Sequence, residues 1–252
     1  MLKLASAQIY RNSLGSCMSL EHVIFNNKSD LIFDLDGTLV DSVPDLAAAV
    51  NDMLSRLSLA SFPEETIRGW VGNGAKTLVE RALSGSGNIS STLDSDYTKQ
   101  ALDIFLEHYQ RQACVKTSLY AGVEMALSAL VDRGYTLHIV TNKPLIFVDP
   151  IVSHLNIKQY FTHILGADSL PKKKPDPMPL AYVMKQQRVS AGNCVMIGDS
   201  HNDILAANAI EMESVGLTYG YNYGEDISLH NPTVVFENFD GLLSVFPSLK
   251  EG

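Results

Sequence analysis

The feature of the sequence that most constrains the fold is an alternation of short apolar runs with helical segments over the second half of the chain. The apolar runs have the length of buried strands and lie at residues 137–140, 164–165, 195–197, 215–217 and 234–236. A similar run at residues 31–35 precedes them. Strands that alternate with helices predict a parallel sheet with helices on both faces. We therefore expect an α/β fold, a doubly wound parallel sheet with a Rossmann-like core.

The chain between the first predicted strand and the others follows a helical pattern instead. Apolar residues recur at spacings of three and four, as on one face of a helix, at Leu46, Val50, Met53, Leu54 and Leu57. Ser61 and Glu64 have the spacing of a capping box and predict the start of a second helix. We therefore predict an all-helical cap domain at residues 44–118, inserted into a core domain made of residues 30–43 and 119–252.

Residues 1–29 are polar and weakly patterned, and we predict that they form a loose leader. Met18 is a second candidate for the start of the protein, because the first predicted strand begins only near Asp30.

Charge, hydropathy and cysteine content argue against several classes of function. The net charge of −9 would repel a phosphate backbone, so no nucleic-acid partner is expected. No apolar run approaches the roughly 20 residues that span a bilayer, so no membrane partner is expected. The three cysteines have no CxxC spacing, which favours reduced thiols in a cytoplasmic protein. The sequence is compatible with a monomer and with a homodimer.

Four segments place polar residues directly after an apolar run. They are Asp34-Leu35-Asp36-Gly37-Thr38, Thr141-Asn142, Lys174-Pro175 and the hexapeptide GDSHND at residues 198–203. The carboxyl ends of parallel strands lie on one edge of a sheet, and that edge is where such folds bind ligands. We therefore expect these groups to share one crevice, although they are far apart in the sequence.

Four aspartates would then form a dense carboxylate cluster, namely Asp34, Asp36, Asp199 and Asp203. A hard divalent cation relieves their mutual repulsion, and Mg²⁺ prefers such oxygen ligands. Lys174, Thr141 and the loop amides after Asp36 can hold phosphate oxygens and stabilise the charge of a phosphoryl group in transfer. A carboxylate such as Asp34 can also act as a nucleophile, and Asp36, two residues on, can act as general acid and base.

At these residues the sequence resembles the haloacid dehalogenase-like hydrolases. DLDGTLVDS at residues 34–42, Thr141-Asn142, Lys174-Pro175 and GDSHND are similar to the four motifs of that family. The resemblance implies a phosphatase with Asp34 as nucleophile and Asp36 as acid and base, with Thr141, Asn142 and Lys174 binding the phosphate. It also implies Mg²⁺ held by Asp34, Asp199 and the backbone carbonyl of Asp36. Asp203 would not bind the ion directly but would contact the residues that do.

Within that family the chain most resembles the bacterial phosphoglycolate phosphatases. The similar segments are WVGNG at residues 70–74, VTNKP at residues 140–144 and GLTYGYNYG at residues 216–224. This resemblance implies hydrolysis of 2-phosphoglycolate, a small phosphorylated metabolite, under a helical lid. Gly72 and Gly74 allow the backbone to approach a ligand closely and are candidate substrate-binding residues. Arg68, Lys76 and Arg81 are candidates for binding the substrate carboxylate.

Other activities of the same family remain alternatives. They are a broad-specificity sugar-phosphate phosphatase, a nucleotide phosphatase or pyrophosphatase, and a phosphomutase. Asp36 argues against carbon–halogen cleavage and against phosphonate cleavage, because the resemblance implies that both branches replace that acid. The alternative from another class is a non-catalytic binding module, which is expected to have lost at least one of Asp34, Asp36, Lys174 or Asp199.

Overall fold

The computed structural model describes residues 24–250 and two short antiparallel strands, Tyr10–Arg11 and Cys17–Met18, that pair with each other. The rest of the predicted leader lies outside the described residues. Residues 24–29 are not loose, because Phe25 is buried and its ring stacks on Phe246 with centroids 4.9 Å apart. Lys28 is also buried and forms an ion pair with Glu213. The predicted leader therefore extended too far toward the first strand.

Six parallel strands form one sheet. They are β1 (Asp30–Phe33), β2 (Thr136–Val140), β3 (Phe161–Leu165), β4 (Cys194–Gly198), β5 (Glu213–Leu217) and β6 (Val234–Phe236). Their order across the sheet is β6-β5-β4-β1-β2-β3, with Phe33 in register with Ile139 on one side and Ile197 on the other. The strand order reverses beside β1, which is where doubly wound sheets bind ligands.

Both faces of the sheet are buried, which confirms the doubly wound fold. Leu31 and Phe33 belong to one apolar cluster, together with residues of α5 (Val123–Asp132) and α6 (Leu145–His154). Ile32 points the opposite way, because side chains alternate along a strand, and joins a second cluster. That second cluster includes residues of α7 (Met178–Gln187) and α8 (His201–Asn208). A final short helix, α9, spans Leu242–Val245.

Four helices lie in the sequence between β1 and β2. They are α1 (Val43–Arg56), α2 (Glu64–Arg68), α3 (Ala75–Ser84) and α4 (Ser95–Gln112). The predicted apolar face of α1 is buried at Leu46, Val50, Met53 and Leu54. The predicted capping box is wrong: the residue before α2 is Pro63, and no side chain caps the helix. The side-chain amide of Asn51 holds the backbone of the neighbouring Phe62 instead. It donates to the Phe62 carbonyl and accepts from the Phe62 N–H, both at 2.9 Å.

The helical segment is joined to the rest of the chain by two strands that pair with each other. Val40–Asp41 and Ser118–Leu119 form a short antiparallel ribbon, so the chain enters and leaves the helical segment at one place. The Asp45 carboxylate reinforces this junction by accepting hydrogen bonds from the backbone N–H groups of Val115, Lys116 and Thr117. Among the described residues, no helix combines the length and the apolar character that crossing a bilayer requires.

Candidate active site

Asp34 and Asp199 occupy equivalent places at the ends of neighbouring strands. Strand β1 ends at Phe33 and β4 ends at Gly198, so each aspartate is the first residue beyond its strand. The two strands are adjacent and parallel, which brings the two carboxylates to the same edge of the sheet. Asp203 joins them, and one oxygen from each of the three carboxylates lies within 4.8 Å of the others.

The Asp199 carboxylate is held from two sides. It accepts hydrogen bonds of 2.6 Å from the Thr38 hydroxyl and from the backbone N–H of Tyr221. Burial raises its pKa well above the usual range, and the neighbouring carboxylates of Asp203 and Asp34 raise it further. A cation in this position would relieve the repulsion that the buried carboxylates experience.

Two glycines make room for the Asp199 side chain. A Cβ atom added at Gly37 would lie 2.2 Å from Asp199 Oδ2, and one added at Gly220 would lie 2.3 Å from Asp199 Cβ. Gly37 also has a φ of +87°, a backbone conformation that side chains with a Cβ rarely adopt. The contribution of Gly220 was missed from the sequence, because its contact with Asp199 joins two distant loops.

Opposing electrostatic effects act on the pKa of the Asp34 carboxyl group. Burial raises its pKa to about 7, a shift that Lys174 opposes and that Asp203 and Asp36 reinforce. One of its oxygens, Oδ1, lies 3.1 Å from Lys174 Nζ and accepts a hydrogen bond of 2.7 Å from the N–H of Leu35. Its side chain keeps 12% of its surface exposed, so this carboxylate can meet a ligand that enters the crevice.

Lys174 links Asp34 to Asp203. Its ammonium group is buried and lies 2.5 Å from Asp203 Oδ1, while Asp203 Oδ2 accepts hydrogen bonds from the Ser200 N–H and hydroxyl. Burial lowers the pKa of Lys174, but Asp203 and Asp34 outweigh it, so the net shift is upward and the charge is retained. Both carboxylate oxygens of Asp203 thus accept hydrogen bonds from other groups of the protein.

Lys174 is the last of three consecutive lysines, Lys172 to Lys174. Lys172 is exposed and pairs with Asp176 at 2.8 Å, and Lys173 donates to the Asn73 carbonyl at 2.6 Å. Of these three lysines, Lys174 is the one that reaches the aspartate cluster.

Asp36 faces a different set of partners from Asp34. Its Oδ1 accepts a hydrogen bond of 2.6 Å from the Ser42 hydroxyl, and its two oxygens lie 3.0 and 3.1 Å from Lys143 Nζ. Ser42 and Lys143 were not predicted as site residues, although Ser42 lies in the motif at residues 34–42 and Lys143 in VTNKP at residues 140–144. The available signal was the adjacency of Lys143 to the Thr141-Asn142 pair.

A cavity that is open to solvent extends from Asp34 and Asp36 toward the helical segment. The polar and glycine residues of its lining include Asp34, Asp36, Gly72, Gly74, Thr141, Asn142 and Lys143. Its apolar side chains include Leu46, Val71, Leu78, Phe105 and Phe147. The structure thus brings Thr141, Asn142 and the two predicted glycines to one cavity at the edge of the sheet, whereas Lys174 is not among the described residues that line it.

Asn142 ties the core side of this cavity to the helical segment. Its amide nitrogen donates to the Lys174 carbonyl at 2.9 Å and to the Gly72 carbonyl at 3.4 Å. Gly72 has a φ of +126° and Gly74 a φ of +91°, and a Cβ added at Gly72 would lie 2.3 Å from the Tyr223 hydroxyl. The two glycines are therefore required by backbone conformation, and at Gly72 also by the space that Tyr223 occupies.

The three cations suggested for the substrate carboxylate do not line this cavity. Arg68 binds the Asp41 carboxylate with two contacts of 3.1 and 3.2 Å, and Arg81 donates to the carbonyls of Trp70 and Gly87. The Lys76 side chain is 71% exposed and lies 3.7 Å from Glu80. Arg68 and Arg81 are thus engaged in holding the helical segment.

The comparisons with known proteins agree with this geometry. A family model described as haloacid dehalogenase-like hydrolase matches residues 31–217. The chain is 56% identical to the phosphoglycolate phosphatase of Colwellia psychrerythraea, over 86% of this chain and 96% of that protein. It is 46% identical to the phosphoglycolate phosphatase of Psychrobacter arcticus, over 88% and 99% of the two chains.

A solved structure supports the same relationship. The crystal structure of a predicted phosphoglycolate phosphatase from Haemophilus somnus is 36% identical to this chain and superposes with a TM-score of 0.81. The superposition covers 87% of this chain and 98% of that one. The sequence match, the strand order and the aspartates at the carboxyl edge of the sheet all lead to one assignment. The chain belongs to the haloacid dehalogenase-like hydrolases.

Proposed function

We propose that this protein is a Mg²⁺-dependent phosphatase that hydrolyses 2-phosphoglycolate to glycolate and phosphate. The observation that carries the proposal is the partly exposed Asp34 carboxylate, which lies beside the buried Lys174 ammonium and faces the cavity. The substrate is inferred from the two relatives of 56% and 46% identity, both named phosphoglycolate phosphatase.

The donor set fits Mg²⁺. Asp34 and Asp199 offer carboxylate oxygens at the edge of the sheet, and the pKa of each is raised by burial and by neighbouring carboxylates. These two carboxylates and the backbone carbonyl of Asp36 would hold the ion, with Asp203 behind them. Hard oxygen ligands of this kind suit Mg²⁺. When bound, the ion neutralises the carboxylates and the developing charge on the phosphoryl oxygens.

The reaction proceeds through a covalent intermediate on Asp34. An oxygen of its carboxylate forms a bond to phosphorus while the bond from phosphorus to the glycolate oxygen breaks. Asp36 gives a proton to the departing alkoxide, and then takes a proton from the water that attacks the aspartyl-phosphate. This second displacement releases inorganic phosphate and restores both aspartates. Lys174 and Thr141 bind phosphoryl oxygens, and the helical segment at residues 44–118 acts as the cap that excludes bulk water.

Two substitutions test the roles of the aspartates. We expect Asp34→Asn to reduce turnover of 2-phosphoglycolate by at least about 10⁴-fold, because the amide is a poor nucleophile. Asp36→Asn should slow both half-reactions by about 10²–10⁴-fold, the usual range for general acid–base catalysis, while phosphate still binds. Phosphate release with Mg²⁺, and with EDTA in its place, measures both effects. Near-wild-type turnover by Asp34→Asn would disprove the assignment of the nucleophile.

The substrate requires its own test. A panel of 2-phosphoglycolate, sugar phosphates, nucleotides and p-nitrophenyl phosphate should show the highest kcat/KM for 2-phosphoglycolate. A higher value for a sugar phosphate or a nucleotide would support the broad-specificity alternative. The absence of turnover with every compound would support the binding module.

A further inference from the structure

The cavity has a charge pattern that suits an acid with a second negative group. Among the described residues that line it, Lys143 is the one cationic side chain. Most of the remaining lining toward the helical segment is apolar, as at Leu46, Leu78 and Phe105. An apolar wall does not compensate the loss of water from a carboxylate, so a substrate with a carboxylate needs a specific partner there.

The surroundings of Lys143 stabilise the charged form of its ammonium group in this cavity. It is 5% exposed, and its Nζ lies within 3.1 Å of both Asp36 oxygens and 4.8 Å from the centroid of the Tyr109 ring. Burial lowers the pKa of Lys143, Asp36 is the largest of the effects that oppose burial, and the net shift is upward. An ammonium group has three N–H donors, and those not directed at Asp36 can serve a ligand.

Tyr109 lies in the last turn of α4 and supplies a second hydrogen-bond donor beside Lys143. Its side chain is buried and lines the cavity, and its hydroxyl has no hydrogen-bond partner within the described structure. Burial raises the pKa of Tyr109 to about 12, so the hydroxyl keeps its proton at neutral pH. A buried hydroxyl without a partner is unfavourable, and a ligand oxygen would satisfy it.

The position of these two donors matches the shape of a short phosphorylated acid. In 2-phosphoglycolate a single CH₂ group separates the phosphoester oxygen from the carboxylate carbon. If Asp36 protonates that oxygen, the carboxylate must lie close to Asp36, on the side away from phosphorus. Lys143 contacts the Asp36 carboxylate, and Tyr109 lies next to Lys143, so both are within reach of a carboxylate bound beside Asp36.

We propose that Lys143 and the Tyr109 hydroxyl form the subsite for the carboxylate of the substrate. This inference rests on the proposed function and assigns the recognition of the second anion to one core lysine and one cap tyrosine. Arg68 and Arg81 are not needed for it, since other protein groups already occupy them. Lys143 and Tyr109 are specificity-determining residues, and Asp36 keeps its role in proton transfer.

The decisive variant is Tyr109→Phe, which removes the hydroxyl and leaves the ring in the cavity. We expect it to lower kcat/KM for 2-phosphoglycolate by about 5- to 50-fold, mainly through KM, and to change kcat/KM for ethyl phosphate less than twofold. Ethyl phosphate has the same ester linkage but lacks the carboxylate. Tyr120→Phe is the matched control, because the Tyr120 hydroxyl is also buried and has no hydrogen-bond partner in the described part of the chain, but Tyr120 does not line the cavity. It should leave both substrates unaffected.

Lys143→Gln separates recognition from the positioning of Asp36. It should lower kcat/KM for 2-phosphoglycolate at least tenfold more than for ethyl phosphate. An equal loss with both substrates would show that Lys143 serves Asp36 alone and would overturn its part in the subsite. Unchanged kinetics of Tyr109→Phe with both substrates would overturn the part of Tyr109. If the wild type does not prefer 2-phosphoglycolate to ethyl phosphate, the proposed function fails first, independently of either variant.

Discussion

At the scale of single residues, the aspartates depend on neighbours that carry no chemistry themselves. Asp199 has its position because Gly37 and Gly220 leave space for it, and because Thr38 and the Tyr221 N–H orient its oxygens. The motif at residues 34–42 therefore contains Asp34 and Asp36, the proposed nucleophile and acid, and also forms part of the wall around Asp199.

The first prediction concerns this close packing. Gly37→Ala should lower kcat/KM by about 100-fold or more, because its Cβ would displace the Asp199 carboxylate, and displacements near 1 Å have effects of that size. Gly224→Ala is the matched control: Gly224 also has a positive φ, of +78°, but a Cβ there meets nothing within 4 Å. That variant should lose about 1 kcal/mol of stability and keep its activity. Steady-state kinetics and thermal unfolding measure both, and similar activity losses in the two variants would contradict the packing argument.

At the scale of elements, the junction between the helical segment and the core is the least predictable part of the fold. The paired strands Val40–Asp41 and Ser118–Leu119 have only two residues each, which is too short for a strand pattern to be recognised in the sequence. Helix α5, Val123–Asp132, is by contrast marked by local signals in the sequence, namely apolar residues at helical spacing and Gly134 just beyond its end.

The second prediction concerns Asp45, near the start of α1. Besides three backbone N–H groups, its carboxylate accepts a hydrogen bond of 2.7 Å from the Thr117 hydroxyl. Asp45→Ala should lower the free energy of unfolding by about 3 kcal/mol, because it leaves buried donors without an acceptor. Asp45→Asn retains one acceptor oxygen and should lose less.

Asp52→Ala provides the control on the same helix. The contacts of Asp52 with Arg56 and His108 are partly exposed, so its loss should change the free energy of unfolding by less than about 1 kcal/mol. Urea unfolding monitored by circular dichroism measures the three variants. Equal destabilisation by Asp45→Ala and Asp52→Ala would show that Asp45 does not secure the junction.

At the scale of the whole molecule, the active site reduces the stability of the metal-free protein. Burial raises the pKa of Asp34 to about 7 from an ordinary value of 3.8, so the folded state binds this proton more tightly than the unfolded state does. The stabilising contribution is fully present below about pH 4 and is lost as the pH rises through 7. A bound cation would offset this loss by compensating the ionised carboxylates.

The third prediction follows from the upward direction of the Asp34 pKa shift. In EDTA, Asp34→Asn should be more stable than the wild type at pH 8 by ~2–4 kcal/mol, because the amide resembles the protonated acid and never ionises. The difference should shrink toward zero near pH 4. Thermal unfolding of both proteins across this pH range measures it, and a gain that is independent of pH would contradict the shift at Asp34. Mg²⁺ should raise the melting temperature of the wild type at pH 8.

The sequence by itself determined the fold class, the strands and the family. The fold class and the strands depend on local periodicity. The family depends on short motifs such as DLDGTLVDS, in which the functional side chains are only a few residues apart. The division into cap and core domains stays a prediction, and so do the roles of Asp34, Asp36, Thr141, Asn142, Lys174 and Asp199.

Only the tertiary structure decided which distant residues surround those groups. It placed Lys143 against Asp36, 107 residues apart in sequence, and brought Gly220 against Asp199. It also left Arg68 and Arg81 out of the cavity lining and placed Tyr109 in that lining, with no hydrogen-bond partner for its hydroxyl among the described residues. The reason is physical: contacts between remote residues depend on how helices and strands pack, and the periodicity of one segment carries no information about the segment that packs against it.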